Sequence, residues 1–483
     1  MTINKHNIII IGNGIIGNSI CYALQKLDPN LKIAVLGETE RPGAATIAAG
    51  AMLNCFAELT SLSLKTQAGQ AKFDLARESL NIWPSWIETI NNDLGCSNNT
   101  LSLRAGTFVI HNTKSGKLDT VHYKAIIDAL KKYNEPFEYV DPQAIEGLDP
   151  VDDARSLEAL YLPNEGSINP QNVLMAFEEI FLLNQNVNLI NDIAIDISHK
   201  KNLFSIETKK GNILYSEKVI LAAGAYCQVL IDKLPDIVRK IPRIFAGAGF
   251  SFTIEQNKFN PIKHVIRTPN RSGACGLHAL PTTDGNLYIG ASNNVYTAPQ
   301  ELPSAGLAHF LLECALEQIN QELYKSRVHK WHTGNRPASL DTYPLIGETS
   351  IPGLWLISGT YRDGFHMSPL IAQDIANKIL NQSGLIQHNI FAPERKLLHM
   401  LTKEESVTEA IEHYMSGAYE RAMKLPKAGW DPLFRTMFSE RLNKLFEELN
   451  IEFGLTPDML LMFEFADNRE ALIKEFKNYS TYH

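Results

Sequence analysis

Residues 7–17 read NIIIIGNGIIG, a run of isoleucines that passes directly into glycines at 12, 14 and 17. Such a run has the pattern of a buried strand, and the glycines have the G-x-G-x-x-G spacing of a dinucleotide-binding strand–turn–helix unit. Gly12 permits the tight turn, Gly14 lets backbone approach a pyrophosphate, and Gly17 lets the helix pack closely on the strand. The helix opens with Ile15 and Ile16 and offers an anion its free N–H groups and the positive end of its dipole. A second strand is due about 20 residues later, with an acidic residue at its end for the adenosine ribose. Residues 32–36, KIAVL, supply the strand, but Gly37 follows it and the first carboxylate is Glu38. Either Glu38 makes the ribose contact from a shifted position, or backbone and water make it.

The rest of the chain must then be an α/β protein of more than one domain, because 483 residues exceed what one such unit needs. A formal charge of −8 and the absence of basic blocks argue against nucleic acid as a partner. No apolar run approaches the roughly 18 to 20 residues of a membrane span. Residues 8–16 are broken by glycines and lack a small-residue cleavage site, so they read as a strand of the mature protein and not as a signal peptide. The six cysteines, at 21, 55, 96, 227, 275 and 314, show no C-x-x-C pairing, which points to a reducing cytoplasm without disulfides. His399 and His413 fall in helical patterns without ligand spacing, so no metal is expected.

Downstream, residues 41–56 are rich in small side chains, which suits either close approach of backbone to a large flat cofactor or a tightly packed helix start. Apolar periodicity predicts helices over 67–94 and 121–132, a helix and loop over 141–153, and a helix opened by Pro170. Three strand-like segments lie in 187–223, and a β-rich section follows over 243–295 with a turn at Asp284 and Gly285. Residues 302–323 return to helix. The polar, proline-punctuated stretch from Trp331 has the composition of an active-site loop, and after it come a strand over 353–359 and a helix carrying Leu370, Ile371, Ile375 and Ile379.

In combination these segments resemble the D-amino-acid oxidase, glycine oxidase and sarcosine oxidase family of FAD-dependent oxidoreductases, the glycine oxidase branch above all. The marks are GNGIIG at 12–17, AAGAML at 48–53, EGSINP at 165–170, AAGAY at 222–226, DGNLYIGAS at 284–292, GNRP at 334–337, YPLIG at 343–347 and GTYRDG at 359–364. The resemblance covers about the first 385 residues. It implies a Rossmann-like FAD-binding domain assembled from 1–95, 165–240 and 331–384, a sheet-rich substrate domain from 96–164 and 241–330, and a C-terminal helical extension over 385–483. It further implies that Gly12, Gly14, Ile15, Ile16 and Gly17 hold the pyrophosphate, with Glu38 at the ribose. Thr46, Ala48, Ala49, Gly50 and Met52 would pass near the flavin, and Ala223 and Gly224 near the adenine. Gly364, Phe365, His366 and Met367 would place backbone donors at the flavin pyrimidine edge. The sarcosine oxidase branch attaches its flavin to a cysteine in the segment matching 331–337, which here has none, so noncovalent FAD is expected.

By the same resemblance Arg336 binds the substrate carboxylate and borders the flavin; a guanidinium suits this because its planar fork matches a carboxylate. The alternative for such an arginine is an interdomain salt bridge. Arg362 is either substrate-facing or structural, and Tyr361 and His278 complete the pocket candidates. Three positions depart from the family pattern: Thr282 after Pro281, Asn293 with Asn294 where an acidic residue is frequent, and His366 where an aliphatic residue is usual. The implied reaction is hydride transfer from a small amine or amino acid of the glycine, sarcosine or D-amino-acid type, with dioxygen as final acceptor and hydrogen peroxide as product. Two alternatives stay open: a dehydrogenase that passes electrons to a quinone or partner protein, and an FAD-binding subunit of a heteromeric complex. For the C-terminal helices, opened at Ser406, Asp431-Pro432 and Thr456-Pro457, the choices are an active-site cap, a homo-oligomer contact, a docking surface, or packing against the outside of the catalytic domains.

Overall fold

The computed structural model of the chain describes residues 5–95, 100–114, 116–271, 275–387, 389–398, 400–421, 423–426, 429–466 and 469–480. Cys96 and His399 lie outside them. Strand Lys5–Ile11 sits inside the first sheet, between Ile213–Leu221 and Ile33–Leu36. The sheet continues outward to Leu354–Ser358 and Leu345–Glu348 on one side and Val187–Ile190 on the other, and every pair along this path is parallel except the one made by Leu345–Glu348. Ile8 to Ile11 are all buried, as a parallel strand covered on both faces requires. Helices Ile15–Leu27, Gln67–Leu94, Pro170–Leu182 and Ser368–Ile379 cover one face around Ile8, Ile10, Trp83, Phe177 and Ile371. The opposite face packs Ile9 and Ile11 against the hairpin Ala194–Lys200 and Leu203–Thr208.

The second sheet has ten strands and is built around the antiparallel pair Ile244–Ile254 and Val328–Ser339. Most of the stretch expected as an active-site loop is therefore a strand. Gly334 and Pro337 misdirect a reading from composition, but Val328–Ser339 pairs with a strand along one edge only, where a proline is tolerated. Its other edge is used by irregular chain: the Asn335 amide donates to the Gly43 carbonyl and the Tyr361 amide to the Pro337 carbonyl, both at 2.9 Å.

Other elements differ from expectation at their ends. The helix expected over 121–132 begins at Lys117, and the acidic stretch 141–153 contains only the short turns Pro142–Ala144 and Asp152–Ala154. The helix expected over 302–323 is regular over Ala305–Cys314, capped by Ser304, and then loosens into a wider turn and a tighter one, Ala315–Ile319 and Gln321–Lys325.

Four helices follow the two sheets: Lys403–Glu420, Trp430–Leu449, Pro457–Phe465 and Arg469–Ser480. Their apolar faces form one core with Phe245, Val295, Ala338, Leu340 and Tyr361, so this segment packs on the second sheet. A buried guanidinium also ties it down: Arg271 bonds to Asp119 at 2.6 Å and to Glu420 at 3.1 Å. Among the described residues there is no acidic, histidine or cysteine cluster fit to hold a metal, and no helix long and apolar enough to cross a membrane.

Candidate active site

The glycine turn lies at the carboxyl end of strand Lys5–Ile11, at the edge where open parallel sheets bind ligands. Gly12 has φ +117°, and a side chain there would collide with the Ala222 carbonyl; one at Gly17 would collide with the Gly12 carbonyl. Glycine is thus required by contact as well as by conformation. Thr46 approaches the helix start and its hydroxyl accepts from the Ile15 amide at 3.1 Å. The amides of Gly14, Ile16 and Gly17 have no acceptor among the described residues. That cradle of free donors at a helix N-terminus fits the pyrophosphate of FAD. Glu38 stands two residues beyond strand Ile33–Leu36, and its carbonyl accepts from the Asn13 side chain at 2.9 Å. Gly224, φ +58°, follows Ala223 at the end of the neighbouring strand, and its carbonyl accepts from Ser358 Oγ at 2.9 Å.

Arg41 is a further element of this edge, absent from the expected set. It is buried, bonds to the Asn13 carbonyl at 2.9 Å and the Thr39 carbonyl at 3.0 Å, and pairs with Glu178. No pattern in 41–56 distinguishes it from a surface arginine.

From Thr46 the chain runs onto the second sheet. The Ala48 carbonyl accepts from Tyr288 Oη at 2.7 Å, and a side chain on Gly334 would overlap the Ala48 methyl group. Ala49 and Gly50 continue to the short strand Met52–Leu53, whose Met52 packs against Val265, Leu280 and Tyr288. A side chain on Gly50 would meet Leu280 and Tyr288, and His278 stacks on Tyr288 with 5.9 Å between ring centres. Burial, aided by the charge of Arg267, lowers the His278 pKa to about 4, so its ring is neutral. Arg336 projects from strand Val328–Ser339 across Gly249, where any side chain would displace the guanidinium. Its Nη1 donates to the Ser292 carbonyl at 3.1 Å and to Asn293 Oδ1 at 3.3 Å.

The turn before helix Ser368–Ile379 completes the border. Side chains of Phe365 and His366 point to helix Gln67–Leu94: Phe365 stacks on Trp83 at 5.5 Å, and His366 Nε2 lies 2.7 Å from the Ala76 carbonyl. Trp83 Nε1 and Ser79 Oγ both donate to the His366 carbonyl at 2.8 Å. Met367 is buried, with its amide bonded to the Asp363 carbonyl. The amides of Gly364, Phe365 and His366 keep no acceptor among the described residues, so this turn has backbone donors to give.

Arg362 is partly committed. Its Nη1 lies 3.5 Å from Glu58 Oε2, and Glu58 is also bonded by Arg267 and Asn270. Burial would raise the Glu58 pKa, but the guanidinium groups of Arg267 and Arg362 hold it well below its ordinary value. Glu58 and Arg267 are 209 residues apart, a pairing that no local pattern reveals. Tyr361 has φ +50°, a backbone state that costs a non-glycine residue on the order of 1 kcal/mol, and its hydroxyl contacts Asn293 and Asp458. A cavity of about 710 Å³ adjoins Tyr361, Arg362 and Glu58, and its far wall includes Met400, Leu401 and Glu409.

Comparison with known proteins agrees with this architecture. The DAO family, described as FAD dependent oxidoreductase, matches residues 7–378. The bifunctional protein ThiO/ThiG of Trichormus variabilis is 24% identical over 393 residues, 79% of this chain and 54% of that protein. The chain thus spans about half the length of that bifunctional relative. Glycine oxidase of Pseudomonas putida is 24% identical over 294 residues, 60% of this chain and 76% of its own. The crystal structure of glycine oxidase from Geobacillus kaustophilus matches with a TM-score of 0.69 at 19% identity, over 82% of this chain and 100% of that one. A likeness at that identity speaks for the fold, which is the α/β architecture expected from the sequence.

Proposed function

The chain belongs to the DAO family of FAD-dependent oxidoreductases, and on that premise we propose that it oxidises a small amine or amino acid of the glycine, sarcosine or D-amino-acid type. The observation that carries this reading is the Arg336 guanidinium, laid across Gly249 on the second sheet. Strand Val328–Ser339 carries it, and Gly334 of that strand packs on Ala48. Arg336 has carbonyl and amide oxygens as partners and no carboxylate of this chain among its described bonds, which leaves its charge for a ligand. A substrate carboxylate held there has its orientation fixed before reaction, and orientation supplies a large part of such a rate.

When bound, FAD supplies the two-electron oxidation by accepting hydride from the substrate, with dioxygen as the terminal acceptor in this reading. The chain's own part is to bind and orient. Gly12, Gly14 and Gly17 cradle the pyrophosphate, and the amides of Gly364, Phe365 and His366 offer fixed donors where negative charge gathers. His278, held neutral by burial, and Tyr288 lie against Gly50 without adding charge there. The noncovalent mode of FAD binding, the three-part division of the chain and a cytoplasmic setting belong to the same proposal. The name glycine oxidase among the relatives supports the substrate class.

Arg336→Ala tests the assignment. The expected result is an apparent KM raised about 10- to 100-fold, the worth of a charge-assisted hydrogen-bonded pair, at unchanged FAD content. An unchanged KM contradicts it.

A further inference from the structure

A chain of hydrogen bonds leads from Arg336 out of the family-matched region, which ends at residue 378. Arg336 Nη1 donates to Asn293 Oδ1 at 3.3 Å, Asn293 Nδ2 donates to the Tyr361 hydroxyl, and that hydroxyl donates to Asp458 Oδ2 at 2.7 Å. Asn293 is one of the positions that depart from the family pattern, and Asp458 stands in the first turn of helix Pro457–Phe465. The departure and the extension therefore meet at one tyrosine.

Asp458 is only 4% exposed, and its second oxygen, Oδ1, is buried with no partner among the described residues. Nη1 of Arg362 likewise has no hydrogen-bond partner among the described residues, though it lies 3.5 Å from Glu58 Oε2 as an ion pair. Both residues and Tyr361 border the cavity of about 710 Å³, whose lining includes none of the residues assigned to FAD. A buried carboxylate oxygen without a donor costs about 1–3 kcal/mol or more, which an N–H group brought by a ligand would offset. With Arg336 taking a carboxylate, the donor-rich group left on an amino acid is its amine. Three hydrogen bonds link the guanidinium to Asp458.

We propose that Asp458, delivered by the C-terminal segment, is the amine-binding residue of the substrate site. Oδ2 holds Tyr361 and through Asn293 steadies Arg336, while Oδ1 accepts from the substrate amine. The inference rests on the amine-oxidising reading of this site.

The test uses two ligands of nearly the same shape, sarcosine and methoxyacetate, in which an ether oxygen replaces the amine. For methoxyacetate the concentration giving half the change in the flavin spectrum of the FAD-loaded enzyme is read, and for sarcosine the concentration giving half the maximal rate of anaerobic flavin reduction. Asp458→Asn keeps an acceptor for Tyr361 but turns an NH2 group toward the amine. It should raise the sarcosine value about 10-fold or more and leave methoxyacetate within about twofold. Equal weakening of both ligands, or of neither, overturns the inference alone. So does a wild-type enzyme that answers to methoxyacetate and not to sarcosine. A wild-type enzyme perturbed by neither ligand is titrated with glycine and D-amino acids against their 2-hydroxy acid analogues and judged by the same outcomes, and one perturbed by none of them overturns the amine-oxidising reading and the inference with it. If Asp458→Asn purifies without flavin, Asp458→Ser removes the charge without crowding and is judged by the same outcomes.

Discussion

Gly17 illustrates how one hydrogen atom decides the cofactor site. An alanine methyl at this position would overlap the Gly12 carbonyl, forcing helix Ile15–Leu27 away from its strand. Overpacking of this kind costs about 1–3 kcal/mol, and the shift also moves the free amides that face the pyrophosphate. Gly17→Ala should purify with a lowered ratio of flavin absorbance to protein and a lower melting temperature; full flavin content would show that the cradle tolerates the shift. His413 works at the same scale on stability. Burial, with help from His122 and Arg362, lowers its pKa to about 3, below the ordinary histidine value, so the folded state holds it neutral. A histidine depressed in this way contributes stability that is complete above its unfolded pKa and is lost as pH falls toward its folded one. Between about pH 7 and pH 5 the loss amounts to about 2 kcal/mol, from a pKa near 6.5 in the unfolded chain. His413→Leu should therefore lose less melting temperature than the wild type over that interval, and equal losses would contradict the neutral, buried histidine.

At the scale of elements, helix Lys403–Glu420 depends on its first turn. Thr402 accepts from the Glu405 amide at 3.1 Å, and Glu405 accepts from the Thr402 amide at 2.9 Å, a reciprocal capping box. Thr402→Ala should cost about 1 kcal/mol and accelerate hydrogen exchange in that turn about fivefold, with no change if the box contributes nothing. The sequence makes such elements legible where signals are local: the isoleucine strand with its glycines, the long helix Gln67–Leu94, and the proline start of Pro457–Phe465. Strand Val328–Ser339 was hidden because glycine and proline look like loop residues unless the strand is known to pair along one edge.

Over the whole molecule, the legible part of the site is the part carried by motifs. Gly12–Gly17 and the 334–337 segment can be located by spacing. Glu58, Arg267, Asn270 and Asp458 cannot, because each acquires meaning from a partner far away in sequence. Asp458 in particular is indistinguishable in sequence from any acidic residue in a helix's first turn. The C-terminal segment shares one core with Phe245, Val295 and Leu340, which sets its helices beside the second sheet.

The central claim, an FAD enzyme acting on amines, is tested most directly by the visible spectrum of the purified protein during anaerobic addition of glycine, sarcosine, D-amino acids, L-amino acids and small amines in turn. The account predicts a flavin band that one of the first three bleaches and that returns when air is admitted. A protein without flavin even after FAD is added, or a flavin band that no amine bleaches, would contradict it.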